Sequence, residues 1–325
     1  MRRGTGRPRH RPAPAGFSLI EVLIALAILS IVMVAVFSSF SYQHKSYVTQ
    51  NAVAQMQQSV RGGMVFMEEE LRNAANIPST NIALPAALFG GASVSGVLTD
   101  GMKVTDGGTN GSDNLYVISK TGLDTILTNV AIATETVTVA DNTTPWTTGD
   151  VGVVYDAANA DIFTVTAFQP TTGQLTHSAF THSYLAGTRI SRLRYSEYSI
   201  DNGNPARPAL MRRYPDSTGT LVSDVVADDI EDLQVRLGVQ DNVTGTITFR
   251  DGSWFTGANL AQLRNVRQVK VQLVGRASAA DPAWNEGPYY NAVDFNRTGG
   301  ITGYTQHRRR PLLEVIQIRN AGISP

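Results

Sequence analysis

Histidine side chains are the first candidates for catalysis or metal binding in this sequence, because a neutral imidazole serves as a base or as a ligand. Two of the five histidines, His177 and His182, lie close together. Their spacing fits neither the i,i+4 ligand pair of a helix nor the i,i+2 pair of a strand. The chain also lacks a Gly-x-Ser-x-Gly, a phosphate-binding loop and a His-Glu-x-x-His motif. We therefore predict no metal site, no cofactor, no small-molecule substrate and no enzymatic activity.

Two segments are rich in the oxygen ligands that calcium prefers, residues 106–114 (DGGTNGSDN) and residues 201–204 (DNGN). Neither has the twelve-residue calcium-loop pattern with its closing Glu. Asp, Asn and Gly are also the residues that form tight turns. We interpret both segments as turns, with calcium binding as the alternative.

Three consecutive arginines at 308–310, beside Tyr304 and His307, form a basic cluster of the kind that contacts nucleic acid. The overall charge argues against this, although 27 basic residues balance 27 acidic ones. Five arginines lie in the first 16 residues, and without them 22 basic residues face 27 acidic ones, a net charge of −5. A mildly acidic protein has no general affinity for nucleic acid. We interpret the cluster as a charged loop beside a strand and expect no nucleic-acid partner.

The absence of cysteine excludes disulfides, cysteine-ligated zinc, iron–sulfur clusters and thiol nucleophiles. Packing alone must therefore hold the fold. With 42% apolar residues over 325 positions, the chain has enough material for a sizeable core.

The carboxylate of Glu21 is the one charge in the 24 residues from 17 to 40. A helix of that length covers about 36 Å, which is enough to cross a bilayer core of about 30 Å. The preceding arginines should stay in the cytoplasm and place the rest of the chain on the other side. A carboxylate in a spanning helix is costly and usually marks a function.

Signal peptides, plain anchors and core helices also contain apolar runs, but each fits this N-terminus less well. A secretory signal peptide has a shorter apolar region followed by a small-residue cleavage site. A plain membrane anchor leaves Glu21 unexplained. A buried core helix leaves the arginine-rich leader unexplained.

The residues Gly16, Phe17 and Glu21, followed by the long apolar run, resemble the processing site of type IV prepilins and of the pseudopilins of type II secretion. The resemblance implies cleavage after Gly16 by a membrane prepilin peptidase and N-methylation of Phe17. It also implies that Glu21 is neutralised by the N-terminal ammonium of Phe17 on a neighbouring subunit. Such a buried pair would set the register between subunits.

Helical periodicity continues beyond the membrane, with apolar residues at 53, 56, 60, 64, 67 and 71. We expect one helix over residues 17–76 whose apolar stripe contacts a globular head. We interpret the pair Gly62 and Gly63 as a soft point of this helix, and Glu68 to Glu70 with Arg72 as a solvated face.

The sequence of residues 77–325 predicts a β-rich head. Residues 77–114 are expected to form loops, because they are rich in Gly, Ser, Thr, Asn and Ala. Strands are predicted at 115–119, 135–140, 151–155, 162–168, 188–200, 209–214, 233–239, 266–275 and 312–318. Short strands with no long helices between them indicate an antiparallel sheet. The predicted fold class is α+β and pilin-like, with a leader at 1–16, a transmembrane half-helix at 17–40, an amphipathic half-helix at 41–76 and a head at 77–325.

Residues 226–239, 266–276 and 313–320 are similar to strand segments of PilW-type minor pilins. This resemblance implies a subunit that helps to initiate a type IV pilus or lies at its tip, with other minor and major pilins as partners. The implied location is the bacterial inner membrane, crossed once with the head in the periplasm, and then the tip of a pilus or pseudopilus. The alternatives are a J-type minor pseudopilin of a type II secretion system, an adhesin carried on a pilin stalk, and an enzyme tethered by one helix.

Overall fold

The structure is a computed structural model, and it describes residues 16, 18–74, 81–83, 101–129, 131–132, 136–140, 146–178, 180–216, 220–256, 259, 262–263, 265–285, 295–297, 299, 301 and 303–318. The chain divides into two compact units, residues 1–50 and residues 51–325.

One helix, α1 (Leu19–Arg72), runs for 54 residues. It ends slightly earlier than the sequence predicts, because Ala74 already forms a β-bridge with Ser119. The last turn closes through hydrogen bonds from Asn73 N–H to Glu70 O and from Ala74 N–H to Leu71 O.

The strands follow α1 in the order of the chain. They are β1 (Asn81–Ala83), β2 (Met102–Thr105), β3 (Asn114–Ile126), β4 (Ala131–Ile132), β5 (Thr136–Thr138), β6 (Val151–Tyr155), β7 (Asn159–Gln169), β8 (Gln174–His177), β9 (Ser183–Tyr184), β10 (Arg189–Asp201), β11 (Ala209–Pro215), β12 (Leu221–Asp228), β13 (Ile230–Gln240), β14 (Ile247–Asp251), β15 (Val266–Arg276) and β16 (Arg309–Gln317). A short 3-10 helix, Gly252–Trp254, follows β14.

Among the described residues, ten strands form a large sheet and four form a small one. The large sheet contains the path β12-β11-β10-β6-β7-β8-β5, with β3 on the other edge of β10, β2 beside β3, and β1 beside β7. The small sheet has the order β14-β13-β15-β16, and β4 pairs with β9. The pairs are antiparallel, as the sequence predicts, apart from the parallel pair of β1 and β7.

Each predicted strand coincides with an observed one, although several are longer than predicted. Residues 77–114 are predicted to form loops with little regular structure, and the described part of this stretch contains the short strands β1 and β2; residues 77–80 and 84–100 lie outside the described residues. Five further strands, β4, β8, β9, β12 and β14, were not predicted. The strands β4, β8 and β9 have only two to four residues, and β12 and β14 have little buried apolar surface, so they lack the alternation on which strand prediction depends.

The main hydrophobic core lies between the second half of α1 and the small sheet. The predicted stripe is confirmed, since the side chains of Met56, Val60, Met64, Met67 and Leu71 are all buried. They pack against apolar residues of β13 and β15 in a single cluster that also takes in residues of β11 and β12. Two further clusters lie within the large sheet.

Of the glycine pair inside α1, Gly63 has a packing role that the sequence does not predict. A Cβ on Gly63 would lie 3.2 Å from Ala227 Cβ and 3.2 Å from Leu210 Cδ2. Gly63 therefore lets the helix approach β11 and β12 closely. A Cβ on Gly62, in contrast, would meet nothing within 4 Å.

This difference predicts opposite effects for two neighbouring substitutions. Gly62→Ala should raise the free energy of unfolding by about 1 kcal/mol, because alanine has the higher helix propensity. Gly63→Leu should lower it by about 1–3 kcal/mol, because the larger side chain overpacks the contact with β11 and β12. Urea unfolding of the detergent-solubilised chain, followed by tryptophan fluorescence, measures both. Equal effects of the two substitutions would contradict the packing role of Gly63.

Candidate functional site: the N-terminal helix and the sheet that packs on it

Two of the three predicted site residues, Gly16 and Glu21, lie just before and just after the start of α1. Gly16 is exposed and precedes the helix, Glu21 is exposed in the first turn, and Phe17 lies outside the described residues. Ser18 caps the helix, since its Oγ accepts a hydrogen bond from Glu21 N–H at 3.3 Å.

Ser18 and Glu21 have the spacing of a capping box, in which an N-cap Ser and a Glu three residues later satisfy the free N–H groups of the first turn. This motif was not predicted, although the Ser-x-x-Glu pattern is visible in the sequence. Glu21 therefore has two possible roles: it lies at the Glu position of a capping box, and it carries the charge that the resemblance to prepilins implies is needed for assembly. Substitutions that remove only the charge or only the cap distinguish these roles.

The first half of α1 is apolar on every side. Its most apolar window has a mean hydropathy of 2.9, and none of that window is buried. Leu19, Ile31 and Phe37 are each more than two-thirds exposed. The hydroxyls of Ser30 and Ser38 donate to the carbonyls of residues 27 and 35 at 2.7 and 2.8 Å, so they are satisfied within the helix. A helix of this kind requires an apolar environment, as a membrane provides.

Glu70 connects the second half of α1 to the large sheet. Tyr198 Oη donates to Glu70 Oε2 at 2.7 Å, and the Arg212 guanidinium forms an ion pair with Glu70 Oε1. Burial, followed by the nearby Glu70 carboxylate, raises the pKa of Tyr198, so its hydroxyl stays protonated and remains a donor. The interpretation of Glu70 as part of a solvated face is therefore wrong, whereas Glu68 and Arg72 do form an exposed i,i+4 ion pair.

The predicted basic cluster at 308–310 is also not a free charged loop. Arg309 is fully buried at the start of β16 and donates through Nε to Glu231 Oε2 at 2.6 Å. Arg276, at the end of β15, donates through Nη1 to Glu231 Oε1 at 3.0 Å. This triad joins the same end of β13, β15 and β16. Arg308 donates through both Nε and Nη2 to one oxygen of Asp281, Oδ2. Of the three arginines, only Arg310 is exposed without an ion pair to a described residue.

The oxygen-rich segment at 106–114 forms a turn, as predicted. Asp106 accepts from Gly108 N–H at 2.6 Å, and Asp113 accepts from Gly107 N–H at 2.9 Å and from Val235 N–H at 2.7 Å. Burial raises the pKa of Asp113 to about 7 despite these two donors.

The second oxygen-rich segment, at 201–204, makes an equivalent turn, in which Asp201 accepts from Gly203 N–H at 2.7 Å. Within the described part of the chain, no cluster of His, Cys, Asp or Glu has the composition to hold a metal ion.

The two neighbouring histidines have separate structural partners. The ring of His177 is buried and stacks on Phe180 at 3.9 Å between centroids. The Nδ1 atom of His182 lies 3.1 Å from Asp161 Oδ1, and Asp161 also accepts from His182 N–H at 2.8 Å. Both imidazoles therefore contribute to the packing of the large sheet.

Comparison with known proteins gives two family matches. Residues 11–37 match the model of the prokaryotic N-terminal methylation motif. Residues 197–320 match the model of PilW, the type IV pilus-assembly protein W. Comparison with curated proteins gives no match. The PilW match includes the whole small sheet and β11 and β12, and residues of β11, β12, β13, β15 and β16 belong to the same hydrophobic cluster as the apolar stripe of α1.

The chain thus joins a match to the N-terminal methylation motif, which includes the start of an exposed apolar helix, to a β-rich domain that matches PilW. The two matches confirm the resemblance to PilW and support a type IV pilus-related minor pilin.

Proposed function

We propose that this chain is a minor pilin that helps to initiate a type IV pilus or lies at its tip. The observation that carries the proposal is the continuity of α1. Its first half is apolar and exposed on every side, and its second half packs on the sheet that matches PilW. One helix thus joins a membrane segment to a pilus-assembly domain.

In this proposal the leader 1–16 is removed by prepilin peptidase between Gly16 and Phe17, and Phe17 is N-methylated. Residues 17–40 then cross the inner membrane, the head lies in the periplasm, and the processed chain enters the filament with other minor and major pilins. The PilW match favours a pilus over a type II secretion system, because the matched model describes a pilus-assembly protein.

The size of the head favours the tip. Residues 101–196, outside both matches, add β2 to β9 and the first half of β10. A head of about 250 residues has a radius of gyration near 18 Å, against about 13 Å for 100 residues. Heads in a filament shaft must pack side by side around a shared helical core, whereas a tip subunit has no neighbour above it. The tip therefore accommodates the added sheet.

The N-terminus of the processed chain tests the proposal. In cells with an active prepilin peptidase, mass spectrometry of the membrane protein should find 309 residues beginning at methylated Phe17, since removal of 16 from 325 leaves that length. A peptidase-deficient strain is the control and should retain the full leader. An intact leader in peptidase-proficient cells would overturn the proposal.

The role of Glu21 is tested by three substitutions that separate its charge from its capping position. Glu21→Gln keeps a residue suited to the capping box but removes the charge, Glu21→Ala removes both, and Ser18→Ala removes the cap while keeping the charge. Membrane insertion of the Glu21 variants should not be impaired, because a helix without this charge inserts more easily. Incorporation into sheared pili, relative to the membrane pool, should fall on the order of tenfold or more for both Glu21 variants, because the Phe17 ammonium loses its buried partner.

Ser18→Ala should incorporate nearly as well as the wild type. If Glu21→Gln incorporates normally while Ser18→Ala does not, the carboxylate acts as a helix cap and not as the partner of the ammonium.

A further inference from the structure

The strand β16 forms one edge of the small sheet. It pairs with β15 over nine consecutive residue pairs without a register shift. No strand among the described residues pairs with its other edge. A regular edge strand without a bulge is a template for pairing with another chain.

The backbone groups at the open edge can be assigned from two hydrogen bonds. Ile318 N–H donates to Arg267 O at 3.1 Å, and Arg308 O accepts from Ala277 N–H at 2.8 Å. Since N–H and C=O groups alternate in direction along a strand, even-numbered residues face β15 and odd-numbered residues face the open edge. Pro311 is odd-numbered, as expected, because proline in a sheet is confined to positions whose N–H would face outward.

The open edge therefore presents the backbone of Leu313, Val315 and Gln317. The side chains of Leu313 and Val315 are 40% and 46% exposed, although both are large and apolar. The segment 313–317 contains no lysine, proline or bulge that would discourage pairing. Backbone groups and apolar side chains are thus available together at this edge.

A groove lies beside the start of this strand. Its volume is about 160 Å³, and it is lined by Gln57, Val60 and Arg61 of α1 and by Arg310, Pro311 and Leu312 of β16. Arg61 and Arg310 are exposed, and neither forms an ion pair within the described part of the chain. Two guanidinium groups beside an open strand edge favour a carboxylate as the next partner.

We propose that the open edge of β16 accepts an extended strand from another pilin-type subunit, with an acidic side chain of that strand in the groove between Arg61 and Arg310. Backbone hydrogen bonds to residues 313–317 would supply affinity, and the two arginines would fix the register. The identity of the partner as a pilin-type subunit rests on the proposed function.

Pairing of β16 with a second copy of itself is disfavoured by charge. The strand RRPLLEVIQ has two arginines and one acid, Glu314. A second copy would therefore bring two further arginines and only one acid to an edge that already presents Arg61 and Arg310. The occupant is therefore an acidic strand of a different subunit.

Because the chain has no cysteine, a single introduced thiol reports on this surface. Gln317→Cys lies on the open edge, and Val243→Cys, at a 94% exposed position in the turn between β13 and β14, is the matched control. Each full-length variant is labelled with a thiol-reactive photocrosslinker in cells that make the complete set of pilus subunits. Irradiation should join Gln317→Cys, but not Val243→Cys, to a peptide from another protein with a prepilin-type N-terminus.

Further substitutions on the Gln317→Cys chain test the geometry. Val315→Pro removes an N–H from the open edge but leaves the pairing with β15 intact, and it should reduce crosslinking at least about tenfold. Val315→Ala keeps that N–H and should cost at most a few-fold. Arg61→Glu and Arg310→Glu should each reduce crosslinking to the same partner. Because Arg61 is exposed on a helix, its substitution stays informative even if Val315→Pro lowers the amount of folded protein.

Unchanged crosslinking in Val315→Pro and Arg61→Glu, or a crosslink to a second copy of this chain, would overturn the proposal. These experiments also distinguish failure of the β16 edge proposal from failure of the proposed pilin function. A processed chain that enters sheared pili without a Gln317→Cys crosslink would refute the edge proposal and leave the pilin function standing. An unprocessed chain that is absent from pili would refute the function itself.

Discussion

The packing of the apolar stripe of α1 on the small sheet is the interaction on which the other features depend. Met56, Met64, Met67 and Leu71 are completely buried there, and each such side chain contributes about 1.5–3 kcal/mol when it leaves water. Gly275 of β15 is essential to the fit, since a Cβ at that position would lie 2.4 Å from the Cγ2 atom of the valine at position 60. The same helix continues toward the N-terminus as the exposed apolar segment.

Buried charges make this packing specific. Glu70 of α1 is bound by Tyr198 and Arg212 of the large sheet, and Glu231 is bound by two arginines from neighbouring strands. A one-residue shift of any of these elements would leave a buried charge without its partner, which costs about 3–5 kcal/mol. Apolar packing tolerates small displacements far better. The ion pairs therefore select one register of the helix and of the strands.

The elements that could be predicted from the sequence are those whose pattern is strong and local. The stripe from Met56 to Leu71 has helical periodicity, and β15 alternates apolar and polar residues, so both were identified with nearly correct bounds. The roles of Glu70 and Arg309 were missed because their partners lie far away in the chain, and an isolated charged residue has the same appearance whether it is solvated or buried. The contact made by Gly63 was missed for the same reason, since its neighbours come from three other strands.

The proposed function places this chain, with its long helix and large head, at the tip of a pilus. A tip subunit is present in few copies for each filament. The central claim is therefore one of stoichiometry, and quantitative mass spectrometry of sheared, purified pili tests it most directly. The molar ratio of this chain to the major pilin should correspond to a few copies for each filament, independent of filament length. A copy number equal to that of the major pilin would contradict the proposed function, because heads of this size would then have to pack along the shaft.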